Sequence, residues 1–280
     1  TLWRLFEGSA RPSVAITLTF LFPPAVFVAL GGQIGGVLLL GLTGFTVAVE
    51  KRRDLVAGLF LSLLTLKPHL LLPFGVVVLL WSWHERRYLH LIGAAVGCAV
   101  GFMVALVLQP EIFGQYLEFA RAEVPEEDVV STPGAALRQL IGFRHFWAQW
   151  IPAALGIGWA ISHYHRRSNG WSWKAELPQL AAVSWLAAPY GWVYDMVLLV
   201  PAVLDGAVRL EGQSDAAAVR RTFLVYVMLC LLVWIQQLWF GSGVVHAWVG
   251  FAVLGGWLVI RRGTGTSTLI RSTSASEESL

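Results

Sequence analysis

The sequence predicts an all-α, polytopic membrane protein that contains two short broken-helix hairpins. Three observations carry this. The 280-residue chain is 56% apolar and only 13% charged, whereas roughly a quarter of the residues of an ordinary soluble domain are charged. Apolar blocks recur from Val14 to Ile260, many close to the ~20 residues a helix needs to cross a bilayer. Two of the longest, residues 55–81 and 177–204, are interrupted in the middle by polar residues. Helices are the default because lipid leaves no water for exposed backbone groups.

Taken in order, the predicted membrane segments are 14–30, 34–49, 55–66 with 70–81, 89–108, 146–162, 177–188 with 196–204, 222–240 and 244–260. Residues 1–262 form one multi-pass domain. Its single long loop, 109–145, is read as extracytoplasmic. Residues 263–280 are rich in Ser and Thr and low in apolar residues, the pattern of a disordered cytoplasmic tail.

Basic residues set the orientation. Sixteen of the 20 Lys and Arg fall in the termini and in loops on one side, and only Lys67, Arg121, Arg138 and Arg144 fall on the other. The basic side, with both termini, is predicted cytoplasmic in the plasma membrane. This division requires each interrupted stretch to enter and return. Lys51-Arg52-Arg53 and Arg86-Arg87 flank the first stretch; Arg166-Arg167, Lys174 and Arg209 flank the second. First arms of about 12 residues reach about 18 Å, short of the roughly 30 Å hydrocarbon core. Both tips should therefore lie recessed, where irregular backbone must be buried in protein or line a wet cavity. Broken helices of this kind often mark binding sites.

In the long loop, Ile112, Phe113, Tyr116, Leu117 and Phe119 recur at helical spacing and suggest a helix on the membrane surface. Glu126-Glu127-Asp128 reads as an acidic turn, and Ser131-Thr132-Pro133 as a capped helix start. At the N-terminus, Leu2, Trp3, Leu5 and Phe6 suggest a second interfacial segment. Cys98 and Cys230 read as small buried hydrophobes. Residue 1 is Thr; the chain is expected to lack its natural N-terminus, with a catalytic base lying upstream of Thr1.

The residues that could carry chemistry cluster at the two tips. Lys67, in Lys67-Pro68-His69, either holds a lipid phosphate or snorkels to the surface. His69 either assists it or faces the cavity. In Pro189-Tyr190-Gly191-Trp192-Val193-Tyr194-Asp195, the rings of Tyr190, Trp192 and Tyr194 suit a sugar face. Asp195 either accepts from sugar hydroxyls or pairs with Lys67. Gln33 either reaches a ligand or caps its turn. Arg138, with Arg144 and His145, either binds an anionic head group or is a solvated loop charge. Gln236 and Gln237 fit helix–helix hydrogen bonds. No phosphate-cradling glycine loop, zinc set or hydrolase elbow appears, and a net charge of +3 gives no reason to expect nucleic acid. No cofactor or metal is indicated.

The ordered set Gly32-Gln33, Lys51-Arg52-Arg53, Ala57-Gly58-Leu59, Lys67-Pro68 and Pro73, then Pro189-Tyr190-Gly191-Trp192 with Asp195, Leu198-Leu199 and Pro201, resembles glycosyltransferase family 87, the polyprenol-phosphate-mannose-dependent mannosyltransferases. The resemblance covers roughly residues 23–204. It implies a GT-C type helical bundle that moves a hexose from a polyprenyl-phosphate carrier to an extracytoplasmic lipid or glycan acceptor. Such enzymes typically take their base from the first extracytoplasmic loop, which is expected to lie upstream of Thr1. Two rivals remain from the residues alone: a secondary transporter with broken helices, and a non-catalytic lipid-binding membrane subunit.

Overall fold

The computed structural model describes residues 2–9, 12–122, 130–211 and 213–277; the side chains of 119–122 and 265–277 lie outside that description. The acidic turn 126–128 falls outside it as well. Among the described residues the chain is helical throughout, with no strand. The helices are α1 (Leu2–Leu5), α2 (Pro12–Leu21), α3 (Pro23–Leu30), α4 (Gly35–Glu50), α5 (Asp54–Leu64), α6 (Leu72–Glu85), α7 (Leu89–Leu108), α8 (Ile112–Ala122), α9 (Pro133–Ile141), α10 (Ile151–Arg167), α11 (Trp173–Leu186), α12 (Val200–Glu211), α13 (Ala216–Phe240) and α14 (Val249–Glu277). Short 3-10 turns at Pro68–Leu71, Phe146–Trp150, Val193–Leu199 and Val244–His246 join several of them.

Three stretches, Leu89–Leu108, Ala216–Phe240 and Val244–Thr264, are long and apolar enough to cross a membrane, and up to five are if two bent helix pairs count as spans. The protein is thus an all-α polytopic membrane protein. Helix α7 is almost bare, with Val96, Val100, Met103 and Val107 turned outward, as a lipid-facing helix would be.

The two interrupted stretches determine where everything else sits. The chain turns through 119° between α5 and the segment Pro68–Glu85. Its two ends then meet: Arg87, just after the second arm, donates from Nε to Asp54 Oδ2 at 3.1 Å, at the first residue of the first arm. A segment crossing once could not close this contact. The arms splay as a V, with α5 against α4 and α7, and α6 against α10 and α11. In the second stretch α11 packs back on α12. The N-terminal segment bridges its two ends: Lys174 pairs with Glu7, and Ser9 donates from N and Oγ to Glu211 at 2.9 and 2.8 Å. Both hairpins are therefore present. The first arms have 11 and 14 residues, or about 17 and 21 Å, too short to cross.

The hairpins also lock to each other. Pro73 lies in the first turn of α6, where backbone donors have no helical acceptor. Phe74 N donates instead to Ser184 Oγ on α11 at 3.1 Å. At the end opposite the tips, a buried ionic cluster holds α10, α11 and α14 together. Glu176, 4% exposed, accepts from Arg167 at 2.7 Å and lies 2.8 Å from His163 Nε2 and 3.9 Å from Arg261.

Three predicted features differ from the structure. The span predicted over residues 14–30 is two helices meeting at 78°, because Pro23 and Pro24 cannot continue the hydrogen bonding of α2 and Phe22 is extended. Leu2, Trp3 and Phe6 are buried in the core, with α1 against α12, rather than lying at an interface. Cys98 is exposed on α7, 3.4 Å from Thr65 Oγ1; only Cys230 is buried. Helix α14 runs past Gly263 to Glu277. The surface helix is present as α8, with Ile112, Phe113, Tyr116 and Leu117 exposed; the Phe119 side chain lies outside the described residues.

Candidate functional site

The two tips meet. Lys67 Nζ lies 2.8 Å from Asp195 Oδ1, joining residues 128 positions apart. At the first tip Lys67 is non-helical, φ −139° and ψ 70°, because the proline that follows disfavours the α region. Helix α5 has already ended at Leu64, and the Lys67 ammonium reaches Asp195 from this non-helical link. At the second tip Asp195 opens the 3-10 turn Val193–Leu199: its Oδ2 accepts from Trp192 N at 3.0 Å.

The pair is unequal. The Asp195 side chain is 1% exposed, that of Lys67 18%. Asp195 has both oxygens engaged, Oδ1 by Lys67 and Oδ2 by the N–H of Trp192 in its own turn. Lysine has three donors, and Lys67 gives one to Asp195. Its ammonium also lies over the Tyr194 ring, 5.1 Å from the centroid. This combination holds the cation in place and leaves one side of it accessible.

Aromatic rings surround the pair. Trp192 and Tyr194 stack with centroids 6.1 Å apart and planes at 13°. His69 meets Tyr190 edge-on at 6.0 Å. All four are half-buried, which leaves them surface to offer a ligand. Gln33 is near without being part of this set. Its turn packs on the second tip, since a Cβ on Gly35 would lie 3.4 Å from Tyr194 O. Its amide Nε2, however, points to its own turn at Gly31 O, 3.5 Å away. That is the capping alternative.

The second tip is irregular backbone inside protein, so its carbonyls need partners. The loop before α10 supplies them. Ser131 N donates to Gly191 O at 2.8 Å, and Gln149 Nε2 donates to Pro189 O at 3.1 Å. Arg138 holds Gln149 in turn, donating from Nη1 to its Oε1 at 3.0 Å and from Nε to Phe143 O at 2.6 Å. Arg138 is 4% exposed and sits over the Phe146 ring at 5.2 Å. It is neither a solvated charge nor turned toward the Lys67 pair by any of these bonds. Arg144 and His145 are exposed. Helix α9 begins where the sequence predicts, with Thr132 Oγ1 accepting from Ala135 N at 3.2 Å.

Gln149 and Ser131 are the functional-site residues that sequence reasoning misses. Ser131 appears there only as part of a helix start, and Gln149 is a lone amide at the head of an apolar stretch. Gln149→Leu is expected to remove the donor to Pro189 O and one acceptor of Arg138. Each unpaired buried group costs about 1–3 kcal/mol, so the thermal midpoint should fall and amide exchange through residues 189–195 should quicken. Wild-type exchange in that segment would contradict the bracing role.

Among the described residues no group of three or more His, Cys, Asp or Glu is close enough to hold a metal ion. Elsewhere Trp248 Nε1 donates to Gln236 Oε1 at 3.1 Å, a contact between α13 and the approach to α14.

Compared with known proteins, the family model of glycosyltransferase family 87 matches residues 1–234, a longer extent than the quoted motifs cover. No curated protein matches, and no solved structure matches.

Proposed function

We propose, from the premise that the chain belongs to glycosyltransferase family 87 and is a membrane glycosyltransferase, that it moves mannose from a polyprenyl-phosphate carrier to a lipid or glycan acceptor. The observation that carries the reading is the Lys67–Asp195 contact among half-buried aromatic rings. A cation beside aromatic faces suits a phosphate joined to a sugar.

In the reaction the bond from the anomeric carbon to the phosphate oxygen breaks. A bond from that carbon to the acceptor oxygen forms, and the acceptor's proton passes to a base. Negative charge grows on the departing phosphate. Lys67, already oriented by Asp195, meets that charge without reorganising, which is how preorganised groups lower barriers. Asp195 acts as a positioning residue. Tyr190, Trp192 and Tyr194 form the sugar-facing wall, and His69 lies beside it. Arg138 acts through Gln149 on the backbone of the second tip, and Gln33 lines its flank. No residue of this chain is assigned as the base.

The basic end of the bundle, including Lys51, Arg167 and Lys174, is placed on the cytoplasmic side by the rule that cytoplasmic loops carry Lys and Arg. The tips then open toward the outside of the plasma membrane, where a lipid-linked donor presents its sugar in a GT-C type enzyme. The test is transfer by the full-length protein in liposomes. Synthetic polyprenyl-phosphate mannose should be consumed and nucleotide-linked mannose left intact. Use of the nucleotide sugar would overturn the donor class, and preference for another polyprenyl-phosphate hexose would overturn the sugar.

A further inference from the structure

The molecule carries a long recess that starts beside the second tip, at Gly36, and runs toward the basic end of the bundle. It is an apolar groove of about 600 Å³ between α1, α2, α4, α5 and α12, within the size range of small-molecule sites. Ile16, Phe20, Leu39, Leu40 and Phe60 are among its walls, and Gly36 lies at one end. At the other end stand Lys51 and Arg53. Gly36 and Lys51 are 15 positions apart along α4, or about 22 Å. Both cations are exposed, and among the described residues neither has a carboxylate partner.

We propose that this groove is a site for one anionic phospholipid of the surrounding bilayer, with its head group against Lys51 and Arg53 and an acyl chain along α4. Charge complementarity selects this occupant. An apolar chain lies along apolar walls, and its phosphate reaches the end that carries Lys51 and Arg53. A polyprenyl chain whose phosphate sat at Lys67 would run the other way and bring its apolar end to two cations. A length of about 22 Å also exceeds the half-thickness of the hydrocarbon core, roughly 15 Å, so a single acyl chain fits along it. The proposal is independent of the sugar-transfer reading.

The experiment is native mass spectrometry of the full chain, taken from nanodiscs of mixed phosphatidylglycerol and phosphatidylcholine with matched acyl chains. One phosphatidylglycerol per chain should be retained, favoured roughly tenfold or more by two interfacial cations. Lys51→Ala with Arg53→Ala should abolish the preference while gel-filtration profile and thermal midpoint stay unchanged. Gly36→Leu should lower retention of both lipids, because a side chain there meets only Val28, at 3.5 Å from its Cβ, and otherwise enters the groove. Equal retention of the two lipids, or preference surviving in the double variant, would overturn the proposal. So would glycerol phosphate binding as tightly as the intact lipid, or a retained mass equal to a second copy of the chain.

Discussion

Lys67→Met is expected to destabilise the protein by about 3–5 kcal/mol, the usual effect of removing one partner from a buried ion pair. Asp195 is 1% exposed, and without Lys67 its carboxylate keeps only the Trp192 N–H. A stranded buried charge is the expensive outcome, because neither water nor protein solvates it. Asp195→Asn should be milder. The amide oxygen still accepts from Trp192, and Lys67, 18% exposed, can lift its ammonium toward solvent. Thermal unfolding in detergent would rank the two, with Lys67→Met the lower. The reverse order would mean that the carboxylate finds other donors once the lysine is gone.

Gly58→Leu is expected to prevent correct assembly of the bundle. Helix α5 leads into the tip that holds Lys67, and it crosses α7 with almost no separation at Gly58. A Cβ there would stand 2.1 Å from His90 O and 2.6 Å from the Gly93 Cα. The obstacle is backbone, so no rotamer relieves it. Small residues at such crossings let helix backbones approach closely in membranes. Gly93 answers from α7, with its own Cβ position 2.4 Å from Leu55 O. Even Gly58→Ala should cost about 1–3 kcal/mol, as overpacking usually does. Gly101→Ala, on the same α7 but with nothing within 4 Å of its Cβ, should be near neutral. Recovery of monodisperse protein after extraction distinguishes the three, and wild-type behaviour of Gly58→Leu would show that α7 can shift freely.

The hairpins were legible because charge and apolarity alone constrain them. Basic residues on both flanks of a broken stretch leave only a return path, and Arg87 on Asp54 is that return seen in atoms. Lys67 and Asp195 stood out because ionisable groups are rare in apolar segments. That they pair was one of two open alternatives, and nothing in the spacing of two residues 128 apart chooses between them. The break at Phe22 went unread although Pro23 and Pro24 signal it, because hydropathy does not fall there. The burial of Arg138 was hidden for a different reason. It rests on Gln149, whose partners Arg138 and Pro189 are set by tertiary folding, and a loop arginine carries no mark of that. Glu176 was likewise silent: its partners His163 and Arg261 lie on other helices.

The pair's place in sugar transfer is tested most directly by Lys67→Met combined with Asp195→Leu. Replacing both charges by apolar groups removes the stranded carboxylate, and stability should return to within roughly 1–2 kcal/mol of the parent. Transfer from polyprenyl-phosphate mannose by this folded double variant should nonetheless fall by about 100-fold or more, the scale of losing a preorganised electrostatic group. A well-folded double variant that transfers at the parental rate would show that the pair only holds the two tips together.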